Sequence, residues 1–395
     1  MSHQHHEDRL LLVTPCDPGD CHIYFSVQRR ALPTALALAA ATDRTLVLPP
    51  MEWYVDQAQQ FTNAFKATPQ GRMPRFERWS SLFDIDRLRT QAAADGVDVI
   101  EYHEAKIDRI DHALLQRGGG RPPQPRGRPD ATSNGTADPF TLALDESPCK
   151  HGRDGLQANF SWPAAGDKGA REARGVLYER RVTIRQLRCG TLDLQHFENV
   201  RALDAWFDDA PVVAVFSVGH LTHSQLDTAA LAPALRTLEK SLRPNAELEA
   251  EAARFVAEAV GSGTASQAPA FVAVHWRHGD YLHYKLLSSV TSVVKRTRTA
   301  LGKLRCAEGA CPVFVMTNAR DESALAELRA ALPTMVRYVP SAPRFAGEGP
   351  RLLVEQAIAA RADAFVPTGR SAVSEFVELL RRRRARRPRS DKVEL

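Results

Sequence analysis

Short apolar runs alternate with Ala- and Leu-rich stretches of helical period along most of this 395-residue chain. LLLVTP, from Leu10, reads as a buried strand, because a strand covered on both faces is apolar at successive positions. A loop over 16–25 follows, then a helix from about Ser26 to Ala41, then a second strand in RTLVLPP from Arg44. Strand, helix, strand is the opening of a doubly wound parallel sheet. Pro33 predicts a kink or a late start to that helix, since proline lacks the N–H and crowds the preceding turn. Beyond Phe76 the pattern predicts a helix and then a strand in VDVIEY.

The second half alternates more regularly. PVVAVFSVGH (211–220) reads as a strand, 225–260 as helical, and AFVAVHWRHGDY (270–281) as a strand ending abruptly in charged residues. A helix over 289–303, the strand CPVFVMTN, a helix opened by Asp321, the strand MVRYVP, a helix through LLVEQAIAAR, the strand AFVP and a last helix after Ser371 complete the pattern. Ser371 is a candidate N-cap. The expected organisation is two α/β domains, 1–205 and 206–380, with a tail at 381–395. Residues 116–140, rich in Gly, Pro and Arg, read as a flexible insertion without a core.

Composition changes this picture little: 44% hydrophobic and 25% charged residues are those of a globular protein. Charge changes it more. The net +5 arises in the tail, where seven Arg and one Lys face Asp391 and Glu394, leaving the body close to neutral. A neutral body argues against a nucleic-acid partner. Without an apolar run of transmembrane length, no stable membrane insertion is expected, and a monomer is.

Compartment signals conflict. The amino terminus shows no secretory leader, which suits a cytoplasmic protein. The last residues, KVEL, resemble a retrieval signal of the endoplasmic reticulum lumen, and Asn134 and Asn159 open glycosylation sequons. The six cysteines include the close pairs Cys16/Cys21 and Cys306/Cys311, which permit disulfides without fixing connectivity. No metal-ligand spacing appears.

Candidate chemistry sits where strands end, because open α/β sheets bind ligands outside the carboxyl ends of their strands. His275, Trp276, Arg277 and Asp280 end one strand, and Thr317 ends another. Thr368 to Ser371 opens a helix, where backbone N–H groups and the dipole favour phosphate. An Arg fork beside them suits the same anion. There is no GxGxxG, phosphate-binding lysine loop or metal triad. The alternative for each residue is ordinary: a solvated salt bridge at Arg277, a helix cap at Ser371, a turn residue at Asp20.

Several segments together resemble the GDP-fucose protein O-fucosyltransferases: the first strand with Gln28–Arg29, RTLVLPP followed by Glu52-Trp53-Tyr54, HWRHGD, CPVFVMTN and LVEQAIAARADAFVPTGRSAVSEF. The resemblance covers 10–60 and 265–380. It implies a GT-B-like fold, two Rossmann-like domains facing a cleft, with GDP-fucose on the carboxyl-terminal side and the acceptor on the other. It implies metal-independent, inverting transfer of fucose to a Ser or Thr hydroxyl of a protein domain, with no cofactor. Carried over, Arg277 stabilises the leaving β-phosphate, Asp280 orients Arg277, and His275 and Trp276 line the donor site. Glu355 reads guanine, Ser371 and Ala372 meet the phosphates, and Thr317, Asp363, Phe25, Ser26 and Gln28 join the donor-binding set. Asp20 is the candidate base. Departures are clear too: Val27 stands where the family has Asn, and Ser371-Ala372-Val373 lacks the family's aromatic. The altered first loop leaves open a relative that binds nucleotide sugar without turnover, and the lack of a visible leader leaves open a fucosyltransferase for glycan or cytosolic acceptors.

Overall fold

The computed structural model describes residues 9–15, 25–53, 75–116, 160–161, 173–190, 205, 207, 209–216, 231–260, 270–278, 287–307, 309–369 and 371–386. The chain divides into two compact units; the second begins at Arg243 and also takes in Ser80–Asp84.

In the first unit, β1 (Leu10–Val13), β2 (Thr45–Leu48), β5 (Val99–Glu101), β6 (Arg109–Gln116), β9 (Arg180–Gly190) and β10 (Val212–Phe216) run parallel. Their order is β5-β2-β1-β10-β6-β9, extended by the antiparallel β8 (Ala173–Leu177) and β7 (Phe160–Ser161). A short ribbon pairs β3 (Met51–Trp53) with β4 (Arg75–Glu77). Leu11, Leu12, Val47 and Ala214 are fully buried, as expected of strands covered on both faces. The strand Val212–Phe216, expected in the second domain, pairs instead with β1 and β6 here. The main-chain ladder decides this: Leu11 is in register with both Val213 and Leu46.

The helix expected over 26–41 is divided. A short α1 (Phe25–Gln28) and a 3₁₀ turn (Arg29–Ala31) precede α2 (Leu32–Ala41), with Pro33 in its first turn, where its missing N–H costs nothing. α2 is apolar almost all round and is buried from Leu32 to Ala39. Further along come α3 (Ile85–Ala94), α4 (Tyr102–Ala105) and α5 (Ala232–Ser241).

The second unit is a four-stranded parallel sheet in the order β13-β12-β11-β14, built from β11 (Val272–Trp276), β12 (Val313–Thr317), β13 (Met335–Val336) and β14 (Ala364–Pro367). Its helices are α6 (Ala246–Phe255), α7 (Val290–Lys303), α8 (Glu322–Ala331), α9 (Glu348–Arg361) and α10 (Ala372–Arg386). Val293, Leu325 and Leu328 pack one face of the strands through Val274, Val313 and Val315. Side chains cap α6, α7 and α8: Asn245 accepts from Leu248 N (3.0 Å), Ser289 from Ser292 N (3.2 Å) and Asp321 from Ala324 N (3.1 Å). Among the described residues no helix is long and apolar enough to cross a membrane.

Cys306 and Cys311 form a disulfide across the α7–β12 connection. Cys16, Cys21 and Cys149 lie outside the described residues, as do both sequons' Asn and the KVEL end. Closing so short a loop restricts the unfolded chain modestly. Replacing both cysteines by Ser is expected to cost about 2 kcal/mol, read as a lower denaturant midpoint with unchanged slope.

Candidate functional site

β11 delivers its last residues to the carboxyl edge of the second sheet. Pleating sends successive side chains to opposite faces, so His275 and Trp276 part company. His275 is buried, its Nδ1 2.8 Å from Ser374 Oγ on α10. Trp276, 1% exposed, packs into the core beside Val290 and Val293. Its Nε1 donates to Ser288 O (3.0 Å). Trp276 is therefore a core residue that braces the strand end, set apart from the polar edge.

Arg277 is held through its main chain. Its N–H donates to Thr368 Oγ1 (3.2 Å), while Thr368 Oγ1 itself donates to His275 O (2.6 Å), so one buried hydroxyl stitches β11 to the end of β14. Arg277 Nη1 donates to Ser371 Oγ at 3.4 Å. Ser371 is buried and accepts from Val373 N (3.2 Å), capping α10 as its sequence position predicts. Ala372 is the first residue of that helix and is also buried. One guanidinium and the amino end of a 15-residue helix thus share one edge, and both favour negative charge.

Two residues outside the expected set support this edge. Asn318 Oδ1 accepts from His278 N (2.8 Å), tying the turn after β11 to the turn after β12. His278 lies edge-on against Trp276, with ring centroids 4.9 Å apart. Thr317 Oγ1 accepts from Ala319 N (3.0 Å) and shapes that second turn. The sequence signal for Thr368 and Asn318 was only their place at strand ends; their partners depend on strand order.

Asp363 sits at the opposite edge of the sheet, before β14, where it is exposed and Oδ2 accepts from Phe271 N (2.9 Å). It fixes the amino ends of β11 and β14 and is not brought to the Arg277 edge, because a whole strand separates it from Thr368. Ser26 and Gln28 belong to the first unit, both buried in α1, which Phe25 begins. Asp20 and Asp280 lie outside the described residues.

Glu355 lies seven residues into α9, about two turns from its start. Its side chain is 13% exposed, and Arg351 Nε donates to Oε1 at 3.3 Å. Burial pushes its carboxyl above the usual range, opposed by the charges of Arg351 and Arg337. Glu348 lies on the same face, seven residues back, in the first turn of α9. Burial pushes it up to about 7. A carboxyl raised by burial costs stability in its charged form. That cost is absent below about 4.5 and complete above about 7. Glu348→Gln is therefore expected to stabilise the protein at pH 8, by on the order of 1–3 kcal/mol, and to change nothing at pH 4. Denaturant midpoints at the two pH values check this.

The family model for GDP-fucose protein O-fucosyltransferases matches residues 24–384. No curated protein matches the chain. Solved structures of POFUT1 are similar to it. One, in complex with GDP-fucose, aligns at 16% identity and TM-score 0.56 over 96% of both chains. Another, in complex with GDP, aligns at 17% identity and TM-score 0.54 over 97% of this chain and 98% of the other. At these identities the likeness establishes a common fold, the expected α/β, GT-B-like class with Rossmann-like parallel sheets.

Proposed function

Because the chain belongs to the GDP-fucose protein O-fucosyltransferase family, we propose that it transfers fucose from GDP-fucose to a Ser or Thr hydroxyl of a protein domain. The observation that carries this reading is the shared edge of Arg277 and the amino end of α10, joined through Ser371 (3.4 Å). In a single displacement the acceptor oxygen attacks the anomeric carbon, the bond from that carbon to the β-phosphate oxygen breaks, and GDP departs. Configuration inverts, and the hydroxyl proton passes to a base, for which Asp20 is the candidate. Negative charge grows on the departing phosphate. Arg277 and the α10 dipole meet it there without a divalent ion. Asp280 holds the guanidinium in place, His275 and Thr317 border the donor, and Glu355 accepts from guanine N1–H and N2–H₂.

The Cys306–Cys311 disulfide supports an oxidising compartment, consistent with the lumen of the endoplasmic reticulum. A compartment of that kind offers disulfide-bonded extracellular domains as acceptors. The test is GDP release from GDP-fucose in the presence of EDTA, with such a folded domain or a free glycan as acceptor. Release stimulated by the protein domain and indifferent to EDTA is the expected result. Stimulation by the glycan alone assigns the chain to the glycan-directed alternative; GDP binding without turnover on either acceptor assigns it to a non-catalytic relative.

A further inference from the structure

The buried residues of α9, from Gly349 to Ala360, are apolar with one exception. Gln356 is fully buried among them. Its Nε2 donates to Val373 O on α10 at 3.1 Å. Its Oε1 is shut off from solvent and meets no donor among the described residues. An amide offers acceptor and donor together, and leaving one of them buried and unmet costs stability. An apolar side chain of the same size carries no such cost. A half-satisfied amide in a core therefore calls for a reason.

The reason lies in what the amide holds. Val373 is the second residue of α10, so its carbonyl already has a helical donor four residues on. The bond from Gln356 is a second one to that oxygen and relieves no orphan. What it does is tie the first turn of α10 to α9. Ser374 Oγ, 2.8 Å from His275 Nδ1, ties the same turn to β11, and Ser371 Oγ caps it by accepting from Val373 N (3.2 Å). Further along, α10 is docked by other means. Phe376, Val377 and Leu380 are buried, and Arg381 donates to Ala362 O and to Asp363 O (3.1 Å) just past the end of α9. Losing the Gln356 amide thus releases the first turn without undocking the helix.

We infer that Gln356 is a positioning residue for turnover: through Val373 it holds the amino end of α10 at the sheet edge, beside Arg277. This rests on the donor reading above. Gln356 touches no substrate. Backbone N–H groups at a helix start favour an anion only where they are aimed at it. Their worth in the transition state comes from being fixed beforehand, so that nothing reorganises as charge develops. A remote support whose loss shifts such groups slightly lowers the rate of the chemical step far more than it loosens the bound substrate.

The test compares the full chain as wild type, Gln356→Met and Gln356→Leu, which keep the volume and remove the amide. Denaturant midpoints should stay level or rise, because the unmet acceptor leaves together with the donor. With GDP-fucose as substrate, kcat should fall about 5- to 30-fold while KM stays within about 3-fold. Amide exchange of the free protein should quicken at Glu375–Val377, where Glu375 N donates to Ser371 O (2.9 Å), and stay unchanged around Arg381. A residue that merely fills the core moves the midpoint and leaves kcat alone. Unchanged kcat in a folded variant, whatever its midpoint, therefore overturns the inference. A rise in KM alone or unchanged exchange at Glu375–Val377 overturns it too. If one variant does not fold, the other decides; failure of both makes Gln356 a structural residue and also overturns it. Wild type that turns over no GDP-fucose overturns the donor reading instead, and the exchange comparison still decides whether Gln356 holds the turn.

Discussion

Arg277→Ala is expected to lower the rate of GDP release from GDP-fucose by about 10²–10³-fold, the effect of removing one preorganised donor at a developing anion. The guanidinium stands at the end of β11 because the strand's main chain is locked at both neighbours, by Thr368 on one side and Asn318 on the other. Its position is set by backbone hydrogen bonds that the substitution leaves intact. The fold should survive, and stability should change little. Affinity for intact GDP-fucose should fall much less than turnover, because charge on the bridging oxygen grows only as the bond breaks. Arg277→Lys should recover part of the rate: it restores the charge without the fork that also reaches Ser371. Steady-state rates and GDP-fucose titrations of the three proteins separate these effects. Equal losses of GDP-fucose affinity and turnover would reduce Arg277 to a ground-state binding residue.

Glu355→Gln is expected to collapse the preference for GDP over ADP by about 10²-fold or more, since a site built around paired hydrogen bonds discriminates through what it leaves unpaired. A carboxylate accepts from both guanine donors; an amide offers one acceptor and one clashing donor. The same residue predicts a pH dependence. Burial favours the neutral carboxyl, with Arg351 and Arg337 opposing. Only the ionised form takes both hydrogen bonds. GDP affinity of the wild type should therefore fall as pH drops through the raised value, and the Gln variant should show no such slope. Calorimetric titrations with GDP and ADP across the pH range measure both effects. A wild-type slope that persists in the variant would place the titrating group elsewhere.

The sequence reading succeeded where local pattern and tertiary environment agree. β11, β12 and β14 are short apolar runs with abrupt polar ends, and the covered sheet requires that pattern. Ser371 caps the helix it precedes because capping is a local device. The failures were non-local. β6 and β9 carry charged residues inside the sheet. Asp111 on β6 is paired with Arg109 (2.9 Å) and accepts from Val212 N (3.2 Å), partners that no spacing announces. The β8–β9 hairpin turns at Tyr178 and Glu179, both at positive φ, without the Gly or Asn that usually marks such a turn. Asp363 entered the donor-binding set through the family resemblance, yet an intervening strand carries it to the edge opposite Ser371. Trp276 adjoins two polar site candidates and is turned into the core by the pleat. Glu251 on α6 has a local partner in Arg254, but Tyr338 and Ser341, which also donate to it, lie 87 and 90 residues further on, where no sequence signal reaches.

The most direct measurement is amide hydrogen exchange of the wild-type protein with and without saturating GDP, read alongside the binding isotherm. The account predicts one GDP per chain and slowed exchange concentrated at Arg277–His278 and Ser371–Val373. The amino-terminal edge around Phe271 and Asp363 should stay unchanged. Absence of binding, or protection confined to segments away from the carboxyl edge of the second sheet, would contradict it.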